Sequence, residues 1–437
     1  MSWLDFFHTT QTTRHTFGRG INASVSINEE ELFLKSLEAF EKKEILDAYE
    51  LFFESLLNFT NGEPNDNVTY AREENEMTFT IYQGSAKIKG KITKENLYAE
   101  AILVKKENAN VALKRYTLER NYQLSFSCYC ANDERLILKL YHDNITMSPQ
   151  KVFFPLREIA LNADYDKERV KSEFSDIALE DVAHVKPLDL DEAKIKFKHM
   201  RKWIADAEEK VLTLPSNDNS SMQSFLYLNL LFKIDYLIVP RYKISQNMSK
   251  KILEYFNGED LIIESKNEKV KSYIEKLKKI DFEEFNANCY NARYTFNPTE
   301  KTSFEEIVNF INESLLKIRW YKNNRYHQII PIIYKYVAFY VLYNYGLNPV
   351  LRESLHLLVE IQNPDFFKEL DYKPLYDEEN NVFAKRAIVS KLDDIVARHT
   401  DRFKALLPFT QDLNFSSLND LSNSFYIQIQ NLNFEEI

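Results

Sequence analysis

Glycine and cysteine are scarce in this sequence, which has seven glycines and three cysteines in 437 residues. Phosphate-cradling loops need closely spaced glycines, and neither GxxxxGK[ST] nor GxGxxG occurs; the nearest approach, Gly18-Arg19-Gly20, follows no strand pattern. The GxSxG turn of a hydrolase nucleophile is also missing. Three cysteines cannot build a disulfide framework, so we expect free thiols and a cytoplasmic protein. The sequence predicts no catalytic motif and no cofactor.

An excess of positive charge is lacking as well, because 66 acidic residues outnumber 56 basic ones and the net charge is -10. This balance gives no reason to expect binding to nucleic acid or to an anionic membrane. The N-terminus, MSWLDFFHTTQTTRHTF, lacks the basic start and apolar core of a secretory signal. The most apolar stretch, residues 326–346, is interrupted by Pro331 and Lys335, so a buried helix is predicted there and no membrane span.

Hydrophobic residues are plentiful, at 44% of the chain, and 31 Phe and 26 Tyr are among them. This composition is typical of a packed globular protein, and the length suffices for two or three domains. Residues 1–28 are polar and predict an irregular arm. From Glu29 to Leu57 apolar residues recur at spacings of three and four, which predicts a helical pair broken at Lys42-Lys43-Glu44.

The apolar period changes to two after this helical pair, which predicts a meander of three or four antiparallel strands between Val68 and Leu103 with one face exposed to water. Helical spacing returns from Asn108 to Tyr122. A hairpin is predicted next, over residues 124–140, and Ser148-Pro149 then opens a further helix. Pro155 is tolerable in that helix only near its start or at a kink.

This order of elements, together with the phrase Asn110-Val111-Ala112-Leu113 ahead of the hairpin, resembles the bacterial type III secretion chaperone-like fold, which the sensory-transduction-regulator family shares. The resemblance covers roughly residues 29–175. It implies a bacterial, partner-binding protein without catalytic residues, and self-association is a further expectation from it. The remainder of the chain departs from the single-domain chaperones, which puts a literal secretion role in doubt.

A charged stretch, residues 164–187, separates this part from a C-terminal part with helical spacing almost throughout. We therefore predict an α+β fold in which an antiparallel sheet packed with helices is followed by an all-α domain. The predicted divisions are an N-terminal arm (1–28), an α+β domain (29–175), a connector (176–187) and a helical domain (188–437).

Several residues invite a chemical interpretation that their surroundings do not favour. Cys128 and Cys130 share one face of a strand but lack the second pair of a structural metal site, so buried or half-buried free thiols are predicted. His199 near Trp203 and His356 near Glu353 are expected to be ordinary histidines rather than catalytic bases.

The most basic stretch of the chain lies near the C-terminus and could contact phosphates. Aspartates within it reduce its net positive charge, so a solvated helix face is favoured. It contains Lys385, Arg386, Lys391, Arg398, Arg402 and Lys404.

The tyrosine-rich stretch from Trp320 to Tyr345 provides the candidate partner surface, because Tyr suits positions that are half buried and half hydrogen-bonded. A buried central helix is an equally weighted alternative. The candidate protein-binding residues are Tyr326, Tyr334, Tyr336, Tyr340, Tyr343 and Tyr345.

The function predicted from the sequence is a protein-binding adaptor or chaperone-like protein without catalytic activity. Two alternatives remain open: an enzyme whose site is assembled by folding near residues 164–215, and a nucleic-acid-associated protein that uses the C-terminal basic stretch.

Overall fold

A computed structural model describes residues 15–18, 27–57, 59–60, 63–64, 66–132, 134–174, 176–215, 219–400, 402–403, 405–407 and 409–435. Most of the predicted N-terminal arm (1–28) lies outside the described residues. The chain divides into two compact units. Unit 1 contains Ile27–Pro187 and Tyr290–Pro298, and unit 2 contains Leu188–Cys289 and Thr299–Ile437.

The described residues of unit 1 form the α-helices α1 (Ile27–Glu41), α2 (Ile45–Ser55), α3 (Val111–Arg120) and α4 (Pro149–Glu173). The predicted break between α1 and α2 is confirmed, with Lys43 in the left-handed region at φ 63°. Asn110 and Ser148 cap α3 and α4 by accepting hydrogen bonds from backbone N–H groups of the first turn. Pro155 lies within α4.

The predicted strands of unit 1 are confirmed as a six-stranded antiparallel sheet. The strands of unit 1 are β1 (Phe59–Thr60), β2 (Glu63–Pro64), β3 (Val68–Arg72), β4 (Glu76–Gln83), β5 (Ala86–Thr93), β6 (Asn96–Lys105), β7 (Ser127–Ala131), β8 (Arg135–Asp143), β9 (Lys186–Pro187) and β10 (Tyr290–Asn291). The sheet order is β3-β4-β5-β6-β8-β7, while β1 pairs with β2 and β9 with β10.

Alternate side chains of the sheet enter the core, as the period of two requires. Met77, Phe79 and Ile81 of β4 are buried, whereas Thr78 between them is exposed. Helices α2 and α4 pack against the sheet, and Val152 and Leu156 of α4 are fully buried. The opposite face carries mainly polar side chains, so the prediction of one wet face is confirmed.

Residues 290–298 return to unit 1 although the sequence predicted them as part of the helical domain. Thr295 Oγ1 lies 2.9 Å from the carbonyl of Tyr82. The Gln83 side chain accepts hydrogen bonds from the N–H groups of Thr295 and Phe296, at 3.1 and 2.8 Å, and donates to the Phe296 carbonyl at 3.0 Å. The Phe296 ring is 2% exposed and contacts Phe153 edge to face. This segment therefore completes the core of unit 1.

The described part of unit 2 is predominantly helical, as predicted, and also contains a short hairpin. Its helices are α5 (Leu190–Leu212), α6 (Ser220–Lys233), α7 (Tyr242–Asn257), α8 (Ile263–Lys279), α9 (Phe282–Ala287), α10 (Phe304–Asn323), α11 (Ile330–Asn344), α12 (Pro349–Gln362), α13 (Pro364–Glu369), α14 (Lys385–Ala397) and α15 (Leu418–Gln430). The hairpin pairs β11 (Tyr376–Asp377) with β12 (Val382–Phe383). Helices α6 and α11 contact each other and bury most of their side chains. Among the described residues, the helices are too short or too polar to cross a membrane.

Candidate protein-binding surface

The six candidate tyrosines lie on α11 and its flanks, where they face the interior of unit 2 to different degrees. Tyr334 and Tyr336 are buried, at 6% and 7% exposure, and the Tyr334 hydroxyl donates to Asn423 at 3.1 Å. Tyr326, Tyr340, Tyr343 and Tyr345 are half-buried. For Tyr334 and Tyr336 the structure corresponds to the buried-helix alternative. A direct partner contact by the other four stays a prediction.

Tyr336 forms part of the wall of a pocket of about 360 Å³ in unit 2. We call this pocket and its apolar rim the aromatic groove. Side chains from α6, α7, α10 and α11 line it, with the first residue of α8. Its aromatic lining consists of Phe225, Tyr255, Phe256, Trp320, Tyr321 and Tyr336.

The aromatic lining is held in place by ring contacts within unit 2. Phe225 meets Tyr336 edge to face, with ring centroids 5.1 Å apart, and meets Tyr321 in the same way at 6.2 Å. Tyr326, another of the predicted residues, stacks on Trp320 at 6.1 Å. Such contacts fix ring positions before any ligand arrives. The groove is therefore preformed.

Polar groups beside the groove already have partners. The Tyr255 hydroxyl donates to Ser224 Oγ at 2.7 Å, and Ser224 Oγ lies 2.9 Å from Asn267 Oδ1. Asn267 in turn donates to the Ser220 carbonyl at 2.7 Å. Because this network is internally satisfied, the Tyr255 ring presents an apolar surface to the groove.

The rim of the groove exposes large apolar side chains to solvent. These side chains come from two successive turns of α7, from the start of α8 and from two successive turns of α10. They are Leu253 (60% exposed), Phe256 (40%), Ile262 (69%), Ile263 (40%), Leu316 (58%) and Trp320 (55%). Leu253 and Phe256 are three residues apart, and Leu316 and Trp320 are four apart, so each pair shares one helix face. Large exposed apolar side chains next to lining residues of a pocket favour an interaction site.

The sequence analysis missed the rim, although the sequence contains a signal for it. In α7 the core contacts are made by Ile244, Met248 and Ile252 at intervals of four. Leu253 and Phe256 form a second apolar stripe beside them, so the apolar face is wider than burial in one core requires.

Two lysines lie at or beside the groove. Lys317 of α10 is exposed and lines the pocket. Lys266 of α8 lies with its Nζ 5.5 Å from the centroid of the Tyr255 ring. Neither lysine forms an ion pair with any residue that the structure describes. The groove therefore combines an apolar floor with two positive charges at its edge.

Comparison with protein-family models, with curated proteins and with solved structures finds no match to this chain. The groove's own chemistry is accordingly the basis for the functional proposal below.

The cysteines and histidines singled out in the sequence occupy separate places. Cys130 is half-buried, as predicted, whereas Cys128 is exposed, so the prediction of a buried or half-buried thiol is wrong there. Cys289 is buried, and all three thiols are free. Within the described part of the chain, no three His, Cys, Asp or Glu side chains are grouped to hold a metal ion. His199 lies 3.3 Å from Glu369, and burial lowers the pKa of its imidazole.

His356, which the sequence places near Glu353, contacts Tyr236. Its Nδ1 lies 3.0 Å from the Tyr236 hydroxyl. Burial and the nearby charge of Lys391 lower the pKa of His356 to about 4. Glu353 instead binds Arg398 at 2.6 Å.

Part of the C-terminal basic stretch is used within unit 2, whereas Lys385 and Arg386 are exposed. Lys391 binds Glu360 at 2.9 Å, and Arg398 binds Glu353. Arg402 is buried at 4% exposure, and Lys404 lies outside the described residues. These ion pairs leave less free positive charge for phosphates than the sequence alone indicates.

Proposed function

We propose that this chain is a protein-binding adaptor without catalytic activity, and that it captures its partner in the aromatic groove. The observation that supports the proposal is the apolar rim around the groove, which leaves Trp320 more than half exposed. Exposure of large apolar side chains is costly in water, and partner binding removes them from it. Trp and other aromatic residues also dominate the energetics of protein interfaces.

The extent of the apolar surface favours a protein over a small ligand. Ile262, Leu253 and Leu316 are exposed but lie outside the pocket lining. A small molecule that filled about 360 Å³ would leave these side chains in water. A protein segment covers the pocket and the rim together.

The lining does not support catalysis in the groove. Of the residues that the structure describes there, none is a histidine or a carboxylate that could activate Ser221 or Ser224. Ser224 already takes part in the network with Tyr255 and Asn267.

Two further features are compatible with this adaptor. The three free thiols support a cytoplasmic, reducing environment. The order of elements in unit 1, with its helical pair, strand meander, helix, hairpin and helix, supports the chaperone-like character that the sequence suggests.

A selection for binding peptides tests the proposal. A display library of random 16-residue peptides is panned on the full chain, and enriched peptides are measured by fluorescence anisotropy against the wild type and the Trp320→Glu variant. The matched control is Leu118→Glu, because Leu118 of α3 is also exposed, at 63%, and lies far from the groove in sequence. We expect binding that Trp320→Glu abolishes and Leu118→Glu retains. Equal peptide binding by Trp320→Glu and Leu118→Glu would show that the groove is not the partner site.

A further inference from the structure

The shape of the rim indicates which kind of segment binds. Leu316 and Trp320 are one helical turn apart on α10, a rise of about 6 Å. Leu253 and Phe256 are separated by about 4.5 Å along α7 in the same way. Side chains at positions i, i+3, i+4 and i+7 of a guest helix have this spacing, so two rows of side chains can interlock.

The walls of the groove exclude the other common mode of peptide binding. A bound β-strand needs unpaired N–H and C=O groups at a sheet edge. The lining residues come from α-helices, whose backbone groups bond along each helix. Recognition here relies on side chains, which suits a helix with an apolar stripe.

The charges beside the groove indicate the character of the flanks of that helix. Lys317 lines the pocket and Lys266 lies beside the Tyr255 ring, and neither forms an ion pair among the described residues. After Glu313, the C-terminal part of α10 and the turn that follows it (residues 314–326) carry Lys317, Arg319, Lys322 and Arg325 and no acidic residue, although the whole chain has a net charge of -10. This local reversal of charge complements carboxylates on a partner.

We propose that the groove binds an amphipathic α-helix of a partner protein whose apolar stripe is flanked by acidic residues. One large side chain of the guest enters the pocket, where Tyr336 and Phe225 form the wall. Neighbouring apolar side chains of the guest cover Leu253 and Leu316. Its carboxylates meet Lys266 and Lys317. This inference rests on the proposed function, because it specifies the partner of the same groove.

The peptides enriched in the selection described above provide the test. We expect them to share apolar residues at helical spacing and to carry Asp or Glu beside that stripe. We also expect circular dichroism to show helix formation on binding to the wild-type chain. The double variant Lys266→Glu/Lys317→Glu should weaken the acidic peptides about tenfold, since two charge contacts change sign. A matched peptide with Lys in place of its acidic residues should show the opposite preference.

The possible outcomes separate the two proposals. In one outcome, the enriched peptides lose binding to Trp320→Glu and yet are neutral, basic or without apolar residues at helical spacing. That result overturns the proposal of an acidic amphipathic helix and leaves the proposed adaptor function intact. Peptide binding that is unchanged in Trp320→Glu overturns both the adaptor proposal and the helix proposal. A concentration-dependent dimer of the wild type in light scattering that Trp320→Glu abolishes identifies a second copy of this chain as the occupant, and so also overturns the separate partner.

Discussion

The Asn121 side chain forms two hydrogen bonds with the backbone of Tyr129. Its Oδ1 accepts from the Tyr129 N–H at 2.6 Å, and its Nδ2 donates to the Tyr129 carbonyl at 3.1 Å. Tyr129 lies on β7, which is an edge strand of the sheet. The carboxamide therefore occupies backbone groups to which another strand would pair. Glu158 acts similarly just ahead of this site, where its carboxylate accepts from the N–H of Ser127 at 2.9 Å.

Asn121→Ala should expose this sheet edge. The change leaves two backbone groups of Tyr129 without their partner, so we expect the free energy of unfolding to fall by about 1–3 kcal/mol. We also expect concentration-dependent association, because an open edge pairs with other chains. Urea unfolding and light scattering measure the two effects. Asn121→Asp retains the acceptor and should lose less stability; equal losses in both variants would contradict this account.

Asp166→Asn should destabilise unit 1 strongly. The Asp166 side chain is fully buried, binds the Arg120 guanidinium at 2.9 Å and accepts from the Tyr129 hydroxyl at 2.7 Å. Removing its charge leaves Arg120 poorly compensated, and we expect a loss of roughly 3–5 kcal/mol in urea unfolding. Glu180→Gln is the control, because its pair with Arg135 is partly exposed and should be worth less than about 1 kcal/mol. Similar losses in both variants would show that burial of the pair is unimportant.

Lys335→Met should stabilise unit 2. Lys335 lies in the apolar helix α11, where burial lowers the pKa of its amine, and it forms no ion pair with the residues described here. Met removes the charge while retaining an unbranched chain, so we expect a gain of roughly 1–2 kcal/mol. The exposed Lys322→Met should leave the free energy of unfolding unchanged. A loss of stability in Lys335→Met would indicate that the amine makes a favourable contact.

The stability of unit 2 should depend on pH through His356. Its pKa is about 4 in the folded chain and about 6.5 in an unfolded one. As the pH falls, the unfolded state binds this proton before the folded state does. The contribution of neutral His356 to the free energy of unfolding is therefore complete above pH about 6.5 and is lost as the pH falls toward 4. Between pH 7.5 and 5 the wild type should lose about 2 kcal/mol more than His356→Gln. The exposed His327→Gln should behave as the wild type does; parallel pH profiles for all three chains would refute the assignment.

Phe296→Ala should destabilise unit 1, although the residue follows Leu188–Cys289 of unit 2 in the chain. The ring fills the core beside Phe153, and its removal should cost about 3–5 kcal/mol. Hydrogen exchange resolves which unit is affected. We expect faster exchange in β4 and α4, whereas faster exchange confined to unit 2 would contradict the assignment of this segment.

Local patterns predicted the strands well because their signal is contained within a few residues. The alternation through Met77, Phe79 and Ile81 places three side chains on one face whatever the rest of the chain does. The same holds for Ser148 and Pro149, whose capping chemistry marks the start of α4.

Long-range placement was not predictable in this way. Gln83 and Phe296 are 213 residues apart. The sequence of residues 290–298, YNARYTFNP, contains no pattern that indicates which side chain will form hydrogen bonds with its backbone. The groove is similar, since Phe225, Phe256 and Trp320 come from three separate helices. The tyrosine-rich stretch drew attention to this region of unit 2, and Tyr336 does line the groove, but most of the exposed rim lies on α7, α8 and α10.

The return of residues 290–298 to unit 1 has a consequence for synthesis on the ribosome. A growing chain exposes α1 to β9 long before Thr295 and Phe296 have been made. Domains usually fold one after another as they emerge. Here unit 1 cannot complete its core until Leu188–Cys289 of unit 2 and then Tyr290–Pro298 have left the exit tunnel of the ribosome. Until then Gln83 lacks the partners that it has in the native fold. Translation order and folding order are therefore interleaved in this protein.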